Sequence, residues 1–211
     1  MVTQPMVTQT PVGQTGRQPR SDAAAITLEQ WADLPPDEPG ELVDGRLVEE
    51  EMADLRHELV VSWLIGTLRA WLVPLGGIVV GSDSKFAVRA DRGRKPDVVV
   101  WLPERPRPSL DASLHREPPD IFVEVVSPRP SDVRRDRVDK LGEYARFGVR
   151  WYWLLDPRAH TLEILELGDD GRYSHAASAG DGRLSQVPGC PGLALDLDSL
   201  RQEIAAVDAT P

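Results

Sequence analysis

Ile121-Phe122-Val123-Glu124-Val125-Val126 is an almost unbroken apolar run with a single acid inside it. A half-exposed strand alternates polar with apolar residues, so a continuous run of β-branched and aromatic residues reads as a strand buried on both faces. Glu124 is then the anomaly, because a carboxylate among apolar neighbours costs several kcal/mol unless a cation or hydrogen-bond donors meet it. An ion pair with an arginine, or a cap on a nearby helix, is one answer. A metal ion is the other. Pro96-Asp97 opens a second buried run, Val98-Val99-Val100, so that two carboxylates can stand on adjacent strands. With a backbone carbonyl such as that of Val125, they offer the hard oxygen ligands that magnesium or manganese takes.

Downstream of this strand, Ser131 can cap a helix that runs to about Phe147 and ends at Gly148. Asp136, Lys140 and Tyr144 fall four residues apart on one stripe of it. Read as an isolated helix, Asp136 and Lys140 make a solvated ion pair. Yet Val133 and Tyr144 share the stripe and look core-facing, which would carry the Lys140 ammonium towards the strands. Lysine occurs only at 85, 95 and 140, the remaining basic charge being arginine.

The rest of the chain supplies the frame. Glu41-Leu42-Val43-Asp44-Gly45-Arg46-Leu47-Val48 reads as a β-hairpin about Asp44-Gly45. Leu59, Val60, Trp63, Leu64, Leu68, Trp71 and Leu72 repeat at three and four residues, one buried face of a long helix over 57–73. Strands are expected at about 77–81, 84–90, 97–102 and 120–126, then at 151–155, 161–167, 172–178 and 183–187, the last three parted by Asp170-Gly171 and Asp181-Gly182. This order predicts an α/β fold with a central mixed sheet flanked by helices, an added N-terminal hairpin and C-terminal strands. Residues 1–25, rich in Gln, Thr, Pro and Gly, are expected to be a disordered tail. One domain is expected over 26–200, with 201–211 as a C-terminal tail.

With 41% hydrophobic residues among 211, the chain can build a real core. No stretch holds the roughly 18 uninterrupted apolar residues of a membrane span and the N-terminus is polar, so a cytoplasmic protein without a membrane partner is expected. Cys190 is the lone cysteine and only four histidines are spread along the chain, which excludes a zinc pattern. A net charge of -10 weighs against non-specific binding to phosphates, although Arg134, Arg135, Arg137 and Arg146 can form a local basic patch. Trp63, Trp71, Trp151 and Trp153 fit core positions, and Trp101 is the one aromatic near Asp97. No phosphate-binding glycine loop and no nucleophile elbow is present.

In order, Glu41 to Gly45, Pro96-Asp97-Val98-Val99-Val100, Val123-Glu124-Val125-Val126-Ser127-Pro128, Asp136, Lys140, Tyr144, Gly148-Val149, Tyr152-Trp153-Leu154 and Asp156-Pro157 resemble the Uma-two family from about Glu41 to about Leu167. The resemblance implies a restriction-endonuclease-like core with a PD-(D/E)xK site. The parent pattern sets lysine two residues after the second acid, where this chain has Val126; a lysine displaced to the next helix, Lys140, would take its role. Asp97 and Glu124 would hold magnesium or manganese, Lys140 would orient the attacking water, and Glu41 would add an outer carboxylate. His57, at the start of the long helix, would pack or support the metal, with Asp136 and Tyr144 around it. The expected activity is metal-dependent phosphodiester hydrolysis, in DNA foremost, by a homodimer. A catalytically inactive binding or scaffold protein of the same fold is the alternative, and a metal-free carboxylate-pair glycosidase a third reading.

Overall fold

The computed structural model describes residues 25–35, 40–48, 54–127 and 134–208. Beyond Ala25, the expected N-terminal tail lies outside these, as do Pro128, the Ser131 cap and Val133. Thr27 opens the short helix α1 (Leu28–Ala32) with a reciprocal capping box to Gln30. The hairpin forms as read: β1 (Glu41–Val43) and β2 (Arg46–Val48) pair around Asp44 and Gly45, whose φ angles of 51° and 73° are those a two-residue hairpin turn demands. Helix α2 (Leu55–Leu72) begins two residues earlier than its periodicity suggests, because the Asp54 side chain caps the His57 amide.

Six strands form the central sheet: β3 (Ile78–Val80), β6 (Val98–Trp101), β7 (Ile121–Val125), β8 (Trp151–Asp156), β9 (Thr161–Leu167) and β10 (Tyr173–Ala179), in the order β10-β9-β8-β7-β6-β3. Only β7 and β8 run parallel. Parallel neighbours need a crossover, supplied here by a π-helical turn, Arg135–Lys140, running into α3 (Leu141–Phe147). Gly148, at φ 93°, ends it in the left-handed conformation expected of that glycine.

Both faces of β6 and β7 are covered. Val98, Val100, Ile121, Val123 and Val125 join Val60, Leu64, Leu68 and Leu72 of α2 in one core. Val99, Trp101 and Phe122 join Tyr144 and Val149 in the other. By length and composition the segment Leu55–Leu75, of mean hydropathy 1.4, also meets the standard of a membrane span, although charged residues interrupt it; here its apolar stripe lies on the sheet.

Two elements differ from expectation. A second sheet, β2-β1-β5-β4, joins the hairpin to β4 (Phe86–Arg89) and to β5 (Arg92–Arg94), a strand with no apolar alternation to announce it. It is held by close packing: a Cβ added at Gly93 would lie 2.1 Å from the Trp31 ring. After the short pair β11 (Arg183–Leu184) and β12 (Leu195–Asp196), residues 197–208 form helix α4, which crosses the expected boundary at 200, and Leu197, Leu200 and Ile204 are buried in the α2 core.

Candidate active site

Strand register brings the acids together. Val98 pairs with Val123, so the chain just before β6 brings Asp97 beside the end of β7 that carries Glu124 and Val125. A ladder continued past that pair would set Pro96 opposite Val125. Alternate residues of β7 turn towards β8, since Trp151 donates to the Asp120 carbonyl and Val126 donates to the Leu155 carbonyl. Val125 therefore directs its amide and carbonyl to the β6 side, where Pro96 has no N–H to give. Its amide donates to Asp97 Oδ2 instead, at 2.7 Å. The ladder thus opens at the Pro-Asp step and leaves the Val125 carbonyl without a donor from Pro96.

Glu124 is buried, and both its oxygens are met from the crossover. Lys140 Nζ donates to Oε2 at 2.9 Å and Tyr144 Oη to Oε1 at 2.6 Å. The isolated-helix reading of Lys140 as a solvated partner of Asp136 is thereby corrected: both side chains are buried, their charged atoms lie 3.5 Å apart, and the ammonium is turned to the sheet. Tyr152 Oη donates to the Asp136 carbonyl at 2.9 Å, tying the π turn to β8. A π turn often marks a functional position. Val126, where the parent pattern would have lysine, is buried in the same cluster as Phe122 and Tyr144.

The electrostatics follow from burial. Desolvation, with Asp97, Asp136 and Glu41 nearby, pushes the Glu124 carboxyl well above its ordinary range in spite of Lys140. Asp136 is raised for the same reason, and its Oδ1 accepts no hydrogen bond. Glu41 goes the other way. Burial opposes its charge, but Lys140 and Arg94 overcome that and hold it down at about 2. His57, on the first turn of α2, approaches Asp97 Oδ2 with Nε2 at 3.3 Å. Burial works against its imidazolium, and Asp97 more than offsets this, so its pKa stands above the ordinary value.

Sequence reasoning brought Asp97, Glu124, Lys140, Asp136, Tyr144, Glu41 and His57 to one place, and missed what backs them. Arg94 pairs with Glu41 and donates through Nε to Glu143 at 2.7 Å; Glu143 also pairs with Arg92, which forks onto Asp44. The available signal was Arg92-Gly93-Arg94 together with Glu143, three residues beyond Lys140. In the expected basic patch, Arg137 is paired with Glu163 at 2.7 Å, while Arg134 and Arg146 are exposed. Trp101 lies in the core against Phe86, about 13 Å along β6 from Asp97. It borders a cleft of about 550 Å³ between β3, α1 and the loop 108–115 that includes none of the acidic site.

Among the described residues no three Asp, Glu, His or Cys side chains form a metal cluster. The donors that fit a hard cation are Asp97, Glu124 and the Val125 carbonyl, completed by water. Their surroundings suit one: burial, and after it the neighbouring acids, raises Glu124 and Asp136, and a cation held there would offset both.

A central mixed sheet flanked by helices, with an acid on each of two adjacent strands and a lysine from the crossover, defines a protein of the restriction-endonuclease-like fold. A "putative nuclease belonging to DUF820" from Anabaena variabilis ATCC 29413 shares this fold, with a TM-score of 0.65 and 20% identity over 84% of this chain and 98% of its own. The family Uma2, described as "Putative restriction endonuclease", matches residues 26–198, and the chain belongs to it. The match extends beyond the span from Glu41 to Leu167 that carries the sequence resemblance. No curated protein matches the chain.

Proposed function

We propose that this protein is a metal-dependent nuclease that hydrolyses phosphodiester bonds, in DNA foremost. The observation that carries the reading is the opened ladder at Pro96-Asp97, which sets two carboxylates, and a Val125 carbonyl to which Pro96 has no N–H to give, beside a buried lysine. Asp97, Glu124 and the Val125 carbonyl would hold magnesium or manganese. When bound, the ion supplies an acidified water and neutralises phosphate charge.

The chain's own groups do the rest. His57 and the Val125 amide hold Asp97 by Oδ2, leaving Oδ1 for a ligand. Tyr144 fixes the plane of the Glu124 carboxylate. Lys140, beside Glu124, orients the attacking water and offsets charge developing on the phosphate. Glu41, which the sequence suggested as a further carboxylate for the metal, has both oxygens engaged by Arg94, the Lys95 amide and Lys140. It serves as a counter-ion.

Labelled DNA incubated with the protein and magnesium should be cut, and the D97A/E124A double variant should not cut it. Equal cleavage by the two ends the enzymatic reading. The second reading, an inactive binding protein of this fold, is favoured by the engagement of both Glu124 oxygens and by the net charge of -10. Calorimetric titration with manganese separates them: binding that vanishes in D97A/E124A belongs to the nuclease. The same reading expects a cytoplasmic homodimer, which sedimentation tests in its oligomeric part.

A further inference from the structure

Among the described residues three carboxylates lie beside the Lys140 ammonium, and it does not stand equally among them. Nζ is 2.9 Å from Glu124, 3.5 Å from Asp136 and 3.6 Å from Glu41. The ammonium is within reach of buried Glu41, a carboxylate of the same kind. It leans on Glu124 instead. Glu41 is already engaged by β5: the Arg94 guanidinium pairs with Oε2 and the Lys95 amide donates to Oε1 at 3.0 Å.

Arg94 is itself fixed. It is buried, its Nε donates to Glu143 on α3, and Glu143 is braced by Arg92, which reaches Asp44 in the hairpin turn. The fork therefore cannot easily leave Glu41, and it joins the small sheet to the helix that carries Lys140. Among the described residues Arg94 makes no hydrogen bond or ion pair with Asp97 or Glu124.

We propose that Arg94 is a positioning residue: by engaging Glu41, it leaves the Lys140 ammonium to Glu124. The inference rests on the reading of Lys140 and Glu124 as a working pair. It assigns to the small sheet a part in the site that no strand pattern of β5 announces. Without the guanidinium, Glu41 would be a buried anion with the Lys140 ammonium in reach, and Lys140 would swing to it.

The full chain has three lysines, so ¹⁵N-lysine labelling gives three Nζ resonances, of which Lys140 is identified by its loss in K140R. In the parent protein E124Q should move that resonance more than E41Q does. In R94M the order should reverse, with E41Q the larger effect. The R94M/E41Q variant removes both charges and should return the resonance to its parent position. Should R94M fold too poorly for spectra, R94K keeps a charge but loses the fork joining Glu41 to Glu143; the E124Q response should then fall and the E41Q response rise. Responses unchanged in R94M, or in R94K where it is the variant used, overturn the proposal.

Cleavage assays separate this from the nuclease reading. R94M should lower kcat for magnesium-dependent cleavage on the order of 10-fold with KM little changed, and E41Q should restore it. Reversed resonances in a protein that cuts nothing overturn the nuclease reading and leave the positioning intact. Active parent protein with resonances that keep their order overturns the positioning alone.

Discussion

Replacing Lys140 by methionine keeps an unbranched chain in the core and deletes the charge. Glu124, Asp136 and Glu41 then lose a cation that stands within 3.6 Å of all three. Glu41 retains Arg94, so the cost falls on Glu124 and Asp136. Breaking a buried pair costs about 3–5 kcal/mol when the orphan stays charged. A carboxyl can escape by taking a proton: from its ordinary 4.5, Glu124 is neutralised at pH 7 for about 3.4 kcal/mol, at about 1.36 kcal/mol per pH unit.

Part of that cost is already present in the parent protein, where Glu124 stands well above its ordinary range. The expected loss in K140M is therefore about 2–3 kcal/mol near pH 7–8. Its sign with pH follows from the raised carboxyls. A folded-state value above the unfolded one contributes stability below the unfolded pKa and loses it as pH rises through the folded one. In K140M that folded value climbs further, so the penalty should shrink towards zero near pH 4.5 and grow above it. Urea denaturation of parent and variant at pH 5 and pH 8 measures this directly. A penalty equal at the two pH values, or below about 0.5 kcal/mol at pH 8, refutes the account of Lys140 as the cation on which buried acids depend.

Gly93→Ala should be strongly destabilising, by about 1–3 kcal/mol or more, because its Cβ would overlap the Trp31 ring at 2.1 Å; thermal unfolding checks it, and an unchanged Tm removes the claim that β5 is seated on Trp31. Tyr144→Phe deletes the donor to Glu124 Oε1 and should cost about 1.5–3 kcal/mol at neutral pH, read from the shift in the urea midpoint, with a near-neutral result showing that the carboxylate finds another donor. Ile204→Ala should cost about 2–4 kcal/mol, since Ile204 is buried against the α2 core; a surface-like change below about 0.5 kcal/mol would return residues 201–208 to the status of a tail.

What could be read from the sequence is what local pattern and chemical cost encode. Apolar runs at 98–101 and 121–126 announce buried strands, period three and four announces α2, Asp44-Gly45 announces the hairpin, and an acid in the middle of a buried strand announces that something must meet it. The stripe Asp136, Lys140, Tyr144 pointed at the same place because helical geometry puts those residues on one side.

Only the tertiary structure decided which partner each charge took. Lys140 is a solvated ion-pair member on an isolated helix and a buried cation under the crossover, and nothing local distinguishes the two. β5 remained hidden because Arg92-Gly93-Arg94 carries no apolar period; it exists as a strand because Trp31, from another element, covers its glycine and because Glu41 and Glu143, from two more, meet its arginines. Leu197, Leu200 and Ile204 were spaced for a helix in the sequence, yet whether that helix belongs to the domain depended on its sharing a core with α2. Burial makes each of these contacts strong, and burial is a property of the assembled layers. The acids of the site are therefore written in the strands, while the choice of Glu124 as the partner of Lys140 is made by Arg94 from the strand next to Glu41.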